Sequence, residues 1–350
     1  MTADDLLAGP RGRRLCLELA AMLDEEISAA VFELGYELDP GKGTSVLRIA
    51  MTSDGPGARS PEQLPATVEA LSDRLASLEI PGLDGTLLQA ALEQTVLSAM
   101  YWQEPDGRDV LAARPEIRSA LSPLAAALQA CPDARWWTGY NRDAQWAVEW
   151  RSPEVPARLD QDPARTLAEW GQGMRRAEEA WRTSGRGLNW SGDWWSVPAG
   201  LPGTVGRLPE ALSVVEDSPG WQEATTIEVN TDGRVFEIRT GDDWRSLCRQ
   251  YPLDVSASRR ADWFRTTGRD GRWVIPDWEQ VAERWDAVHL TVMGYLRCAG
   301  RALPVDDAEA SVLAGWDPGR TLWLTGAVTD AGGHRQDWHR GSVSGWLPAA

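Results

Sequence analysis

Histidine is scarce in this chain of 350 residues, and its three copies are His289, His334 and His339. His289 interrupts the apolar run Ala287–Leu290, where an imidazole on a strand could act as a general base or a ligand. The alternative is a half-buried histidine with one satisfied ring nitrogen. His334 and His339 are five residues apart in a glycine-rich stretch, which is not a helical spacing. Because zinc would need two further ligands there, we expect no metal site.

Three tryptophans fall within six residues in segment 187–198, at Trp190, Trp194 and Trp195. Ser191 lies among them and could add a directed hydrogen bond. An indole face suits a flat ligand, since stacking on a nucleic-acid base contributes about 1–3 kcal/mol. The same residues could instead anchor a hydrophobic core beneath a long loop.

The basic residues are 34 arginines and one lysine, Lys42. Five of the arginines and two tryptophans fall within residues 256–273. A guanidinium fork binds carboxylate or phosphate bidentately. Arg259, Arg260 and Arg269 are therefore candidates for an anion clamp, such as a pyrophosphate clamp. The alternative is a surface loop whose arginines pair with the many acidic residues.

The overall composition excludes several functional classes. A net charge of -17 argues against binding to a nucleic-acid backbone, which requires clustered cations. The sequence shows no GxSxG elbow, phosphate loop or GxGxxG in a strand–turn–helix context, so classical dehydrogenases and nucleotide kinases are not expected. It has no run of 18 apolar residues and no signal-peptide pattern, and we expect a soluble cytoplasmic protein with four reduced cysteines.

The first 131 residues are predicted to form an acidic all-α module. Apolar residues recur at helical spacing over 11–35, from Pro61 to about 78, over 87–101 and from Pro115 to about 131. Residues 1–130 hold 10 basic and 20 acidic side chains, a balance of -10, and no tryptophan precedes Trp102. Such a module could dock a basic protein partner.

Residues 132–350 are predicted to form a tryptophan-rich mixed α+β domain, which makes the fold class α+β. The predicted strands are 146–150, 224–229, 234–239, 288–292 and 321–325, and the predicted helices are 163–181, 242–250 and 277–285. Turn residues at 230–233 separate the second and third strands. The polar, glycine-rich tail after Asp330 is expected to be loosely held.

The order of several motifs resembles that of ADP-ribosyltransferase-like proteins over residues 185–325. The matching pieces are Gly187-Leu188-Asn189-Trp190-Ser191 with Trp194-Trp195, the strand 234–238, Asp243-Trp244 to Tyr251, Asp277-Trp278 to Ala282 with Asp286-Ala287-Val288, and Trp316-Asp317 with Thr321-Leu322-Trp323.

This resemblance implies an NAD-binding cleft between two small sheets. It would place the nicotinamide end against Trp190, Ser191 and Trp194, and the pyrophosphate against Arg259, Arg260 or Arg269. His289 or Tyr295 would lie near the ribose. His289 follows Asp-Ala-Val, where such a transferase would carry an acidic residue, so the resemblance implies NAD binding more directly than ribosyl transfer.

Three other functions remain open at this point. The chain could be a non-catalytic interaction protein, of a regulatory or immunity type, that docks a basic partner through its acidic helices. It could present indoles as a platform for a sugar or a nucleobase. It could also be a small-molecule biosynthetic enzyme with an unfamiliar site.

Overall fold

The computed structural model describes residues 3–41, 66–150, 159, 161–183, 193–218, 220–341 and 345–349. Its first part is helical, as the apolar spacing predicts. The helices are α1 (Ala3–Leu7), α2 (Pro10–Leu23), α3 (Glu25–Leu38), α4 (Val68–Ala76), α5 (Gly85–Leu97), α6 (Gly107–Ala112), α7 (Pro115–Ala120) and α8 (Ser122–Ala130).

Two of the predicted helices are each divided in two. The helix expected over 11–35 breaks at Asp24, whose side chain accepts a hydrogen bond from the Ile27 amide at 2.9 Å and so caps α3. The helix expected over 117–131 breaks at Leu121. Pro123 lies in the first turn of α8, and a proline has no amide hydrogen with which to continue the ladder of α7.

The second part alternates short helices and strands. They are a 3₁₀ helix (Pro132–Thr138), β1 (Trp146–Trp150), α9 (Pro163–Arg182), β2 (Gly203–Val205), a second 3₁₀ helix (Glu210–Ser213), β3 (Glu223–Thr231), β4 (Val235–Ile238), α10 (Gly241–Gln250), β5 (Pro252–Asp254), α11 (Ser256–Thr267), β6 (Arg272–Pro276), α12 (Trp278–Ala282), β7 (Ala287–Leu290), α13 (Val292–Cys298), β8 (Leu303–Pro304), β9 (Glu309–Ser311), β10 (Arg320–Trp323), β11 (Val328–Arg340) and β12 (Trp346–Pro348).

The strands form two mixed sheets, which confirms the α+β class. One has eight strands in the order β12-β11-β3-β1-β2-β10-β7-β4, and the other has four in the order β5-β6-β9-β8. Pairing is antiparallel except between β4 and β7 and between β6 and β9, which are parallel. Within the described ranges, no helix combines the length and the apolar character that crossing a membrane requires.

Strands β3 and β4 are neighbours in sequence but do not pair. β3 lies between β1 and β11, whereas β4 forms the far edge beside β7. The pairing with β7 sets Ile238 opposite Leu290, and both side chains are fully buried. Burial of apolar side chains at the edge of the sheet therefore outweighs the local turn signal.

The expectation of a loosely held tail is wrong. Residues 328–340 form the long strand β11, which pairs with β3 and β12. Polar side chains reinforce the pairing: Thr225 donates to Asp337 at 2.7 Å and the Trp338 indole donates to Thr226 at 2.9 Å. Its glycines coincide with a shift of register between Asp330 and Arg335. They mark an irregularity in the strand and not its end.

One hydrophobic cluster joins the two parts of the chain. It extends from Leu6 and Leu15 in the helical part to Leu296 and Leu324 in the α+β part. Helices α1 and α2 pack on α13, across the sequence boundary at 131/132. The helical part therefore shares its buried core with the tryptophan-rich part.

A stretch of irregular backbone, Trp194–Ser196, adjoins this core, with Trp194 and Ser196 buried and the Trp195 side chain 39% exposed. The Trp263 indole donates to the Trp194 carbonyl at 3.0 Å, and the Trp278 indole donates to the Ser196 carbonyl at 3.1 Å. The Ser196 amide donates to the Ala314 carbonyl at 3.0 Å. Because unpaired buried carbonyls are costly, these donors allow a non-regular segment to lie inside the protein.

This arrangement predicts unequal effects for two glycine substitutions. Gly315 and Gly268 both have positive φ, at 77° and 73°. A Cβ at Gly315 would lie 2.0 Å from Cδ1 of Trp195, whereas one at Gly268 meets nothing within 4 Å. We expect Gly315→Ala to lower the free energy of unfolding by about 2–4 kcal/mol and Gly268→Ala by about 1 kcal/mol. Equal losses in urea denaturation would contradict the close approach of Trp195.

Candidate functional site

His289 lies in β7, between β10 and the edge strand β4. It is buried, and its Nδ1 is 2.9 Å from Oγ1 of Thr321, its cross-strand partner in β10. Burial lowers the pKa of His289 to about 3, and the nearby Arg239 guanidinium acts in the same direction. The imidazole is therefore neutral at physiological pH. Its Nε2, which no described residue contacts by a hydrogen bond, can donate or accept according to the tautomer.

The His289 ring lines a cavity of about 330 Å³. The walls come from the first 3₁₀ helix and the turn after it, from the residues following β2, and from β7 and the start of α13. The described lining residues are Arg135, Trp136, Thr138, Gly139, Tyr140, Asn141, Gly206, Arg207, Ala211, His289, Val292 and Gly319. We call this space the His289 cavity.

Two aromatic rings of the His289 cavity are held in place by defined contacts. The Tyr140 ring centroid is 5.3 Å from that of His289, and the Tyr140 amide donates to Oε2 of Glu237 at 3.0 Å. The Trp136 ring carries the Arg207 guanidinium 5.3 Å from its centroid. Both rings therefore pack against neighbouring side chains, an arrangement that suits stacking on a flat ligand.

Two cations reach the same space. Arg207 also pairs with Glu210, with Nε 2.7 Å from Oε1. Arg135 is exposed and has no ion pair within the part of the chain that the structure describes. An exposed guanidinium beside aromatic rings can bind a carboxylate or phosphate through its fork of N–H groups.

The tryptophan-rich loop lies only partly within the described residues, since Trp190 and Ser191 are outside them. Trp194 is buried, with its ring 4.7 Å from that of Trp195 and 4.8 Å from that of Trp102. Trp195 remains 39% exposed. Trp194 is thus a core residue with aromatic neighbours, and it does not present an open face to a nicotinamide.

The predicted anion clamp is not assembled. The Arg259 side chain is fully buried, with Nη1 2.9 Å from Asp193 and Nη2 donating to the Trp195 carbonyl at 3.1 Å. Arg260 is half-buried on α11. Arg269 lies over the Trp273 ring and donates to the Ala308 carbonyl at 2.8 Å. Arg259 stabilises the buried irregular segment, and none of the three lines the His289 cavity.

Tyr295 is also outside the His289 cavity. It is fully buried on α13, and its hydroxyl is 3.3 Å from that of Tyr101. Burial raises the pKa of Tyr295 well above its usual value, and the nearby Glu216 adds to the shift. A hydroxyl in this environment does not ionise near neutral pH, so Tyr295 does not provide a base.

Glu216 is a buried acid that sequence reasoning missed. Its Oε2 accepts hydrogen bonds from the amides of Gly315 and Trp316 at 2.8 and 2.9 Å. Burial raises its pKa to about 8, and the Tyr295 and Tyr101 hydroxyls act in the opposite direction but too weakly to compensate. The carboxyl therefore holds a proton at neutral pH.

Arg135, Trp136, Tyr140 and Arg207 were not among the sequence candidates either. The run Arg135–Tyr140 mixes a cation with aromatic residues in a stretch without helical or strand periodicity. That mixture was the only local signal of a site. Arg207 and His289 are remote in sequence, so only the fold brings them to the same space.

Comparison of the chain with models of known families, with curated proteins and with solved structures gave no match. The described residues contain no group of three or more potential metal ligands. The geometry of the site is therefore the evidence that bears on function.

Because His289 is buried and neutral, we expect the folded protein to lose stability in acid. Between pH 6.5 and 3 the unfolded chain binds a proton at this residue that the folded chain does not, so the free energy of unfolding falls as the pH falls. The slope approaches about 1.4 kcal/mol per pH unit. In urea denaturation at pH 6.5 and 4.5, His289→Gln should lose less stability than the wild type. The exposed His339 offers a control: His339→Gln should follow the wild type, and identical losses in all three proteins would contradict the prediction.

For Glu216 we expect the opposite trend, a loss of stability as the pH rises. Because its folded pKa of about 8 exceeds the ordinary 4.5, its contribution is complete below pH 4.5 and is lost as the pH rises through 8. Glu216→Gln keeps an oxygen for the two amides and cannot ionise. Relative to the wild type, this variant should therefore gain stability between pH 5 and pH 8 in the same assay. A constant difference would show that Glu216 is already ionised at pH 5.

Proposed function

We propose that the chain binds a small anionic ligand with a planar ring, of the nucleotide class, in the His289 cavity. The observation that carries this proposal is the combination around one space of about 330 Å³ of two aromatic rings, a neutral imidazole and a guanidinium that has no ion pair among the described residues.

Each group has a defined part in this recognition. The Trp136 and Tyr140 rings offer faces for a base, while Arg135 and Arg207 offer N–H groups to a phosphate. Nε2 of the neutral His289 makes one directed hydrogen bond. The described lining residues include no carboxylate that would repel an anion. Selectivity for a flat anion follows from the rings and the cations together.

NAD is the candidate that the resemblance to ADP-ribosyltransferase-like proteins suggests. Ligand pockets span about 300–1,000 Å³. A space of about 330 Å³ therefore suits one nucleotide half of NAD better than the whole molecule. Ribosyl transfer would require a free carboxylate at the site. Glu237 is the nearby acid, and its Oε2 already accepts from the Tyr140 amide and pairs with Arg239 at 2.9 Å. These contacts support binding without transfer.

The test is calorimetric titration of the full chain with NAD, nicotinamide mononucleotide, AMP and the uncharged nucleoside adenosine. We expect saturable binding of the mononucleotides and weaker binding of adenosine. Arg135→Ala should weaken AMP binding about tenfold or more, because it removes charge-assisted hydrogen bonds.

Arg249→Ala is the matched control, since Arg249 is exposed on α10 and has no ion pair among the residues that the structure describes. This variant should bind AMP as the wild type does. The proposal fails if no nucleotide binds at millimolar concentration, or if both arginine variants bind equally.

A further inference from the structure

A second cavity, of about 350 Å³, lies between the start of α2, the segment that joins α5 to α6, and residues 300–302. Arg13 and Arg301 line it together with Tyr101, and Met100 and Val110 contribute apolar surface. The other charged lining residues are Arg11, Glu104, Asp106 and Asp109. It shares no lining residue with the His289 cavity. The two cavities are therefore separate sites.

The Arg13 and Arg301 side chains meet at one backbone oxygen. Nη1 of Arg13 donates to the Ala8 carbonyl at 3.1 Å, and Nη1 of Arg301 donates to the same carbonyl at 3.2 Å. Nη1 of Arg13 also donates to the Leu7 carbonyl at 3.1 Å. Neither arginine has an ion pair within the described ranges, and the Nη2 groups of both have no hydrogen-bond partner there.

The nearby carboxylates do not compensate these two charges, because other arginines already bind them. Arg11 pairs with Asp109, and Arg14 lies 2.6 Å from Glu18 and 2.8 Å from Asp106. Arg108 lies 3.1 Å from Glu18 and completes the group. Three arginines thus balance three acids. Among the charged residues that line the cavity, Arg13 and Arg301 then face one further carboxylate, that of Glu104.

The excess positive charge affects Arg13 directly. Burial, together with repulsion from Arg118, Arg11 and Arg301, lowers the pKa of Arg13 to about 10, although the attraction of Asp109 acts in the opposite direction. Because an arginine remains charged at neutral pH, the repulsion is not relieved by loss of a proton. A bound anion would relieve it.

We propose that this cavity is a binding site for a small organic oxyanion, a phosphate ester or a carboxylate. Its charged oxygens meet the Nη2 groups of Arg13 and Arg301, and its apolar part lies among Met100, Val110 and Tyr101. The site joins Arg13 on α2 to Arg301 in the segment after α13, so a bound anion stabilises the contact between them.

Thermal unfolding and calorimetry of the full chain test the site, with inorganic phosphate, phenyl phosphate and benzoate as probes at constant ionic strength and benzyl alcohol as the uncharged control. We expect phenyl phosphate to bind more tightly than phosphate and to raise the Tm, while benzyl alcohol has no effect. Comparison of benzoate with phenyl phosphate shows whether the site prefers a carboxylate or a phosphate ester.

Substitutions separate a binding role from a structural one. Arg301→Gln should weaken phenyl phosphate binding about tenfold or more, and Arg301→Lys should retain part of it. Arg249 is exposed on α10 and does not line the cavity, so Arg249→Gln should bind phenyl phosphate as the wild type does. Glu104 is exposed at the rim of the cavity, and Glu104→Gln should strengthen binding by removing a repulsive charge.

The proposal is overturned if none of the anions changes the Tm or produces binding heat in the wild type. It is also overturned if Arg301→Gln and Arg249→Gln respond equally to phenyl phosphate. A purely structural Arg301 would lower the Tm of its variant without changing the response to the anions, and Glu104→Gln would then have no effect on affinity.

Discussion

Burial of the irregular segment Trp194–Ser196 is the constraint on which the rest of this structure depends. A non-regular backbone inside a core leaves carbonyls that no helix or strand ladder pairs, so other donors must reach them. Two indoles and the Arg259 guanidinium supply the donors, from helices α11 and α12. Tryptophan suits this role because it combines a large apolar surface with one N–H group. Packing thereby accounts for part of the tryptophan excess, since seven tryptophans of the described residues are among the largest fully buried side chains.

Arginine carries almost all of the positive charge in this acidic chain, and the structure uses it in two ways. Some guanidiniums donate hydrogen bonds to carbonyls inside the protein, as Arg259 does to the Trp195 carbonyl. Others converge with no ion pair among the described residues, as Arg13 and Arg301 do at the Ala8 carbonyl. A buried lysine could lose its proton and relieve such a repulsion, whereas arginine retains its charge. His289 differs from these arginines, because its lowered pKa leaves the buried imidazole neutral.

Local sequence signals correctly predicted the elements that are specified by their own residues. The alternation at Trp146–Trp150 predicts β1, and Asp162-Pro163 predicts the start of α9, where Asp162 accepts from the Ala164 amide at 3.1 Å. Strand β11 shows where such signals fail. Its glycines suggest a loose tail, but pairing with β3 and β12 supplies hydrogen bonds that no local pattern reveals. Strand partners are remote in sequence, so propensity cannot identify them.

The sequence by itself determined the α+β class, the helical first part, the acidity and the dependence on arginine for cations. It also singled out His289, which does line a cavity. Only the tertiary structure decided that Arg259 and Tyr295 are buried, and that Arg135 and Arg207 approach His289. The physical reason is that a side chain's chemistry depends on its exposure and its partners, and both are set by contacts between distant segments. Periodicity encodes which face of an element is apolar, but not which other element covers it.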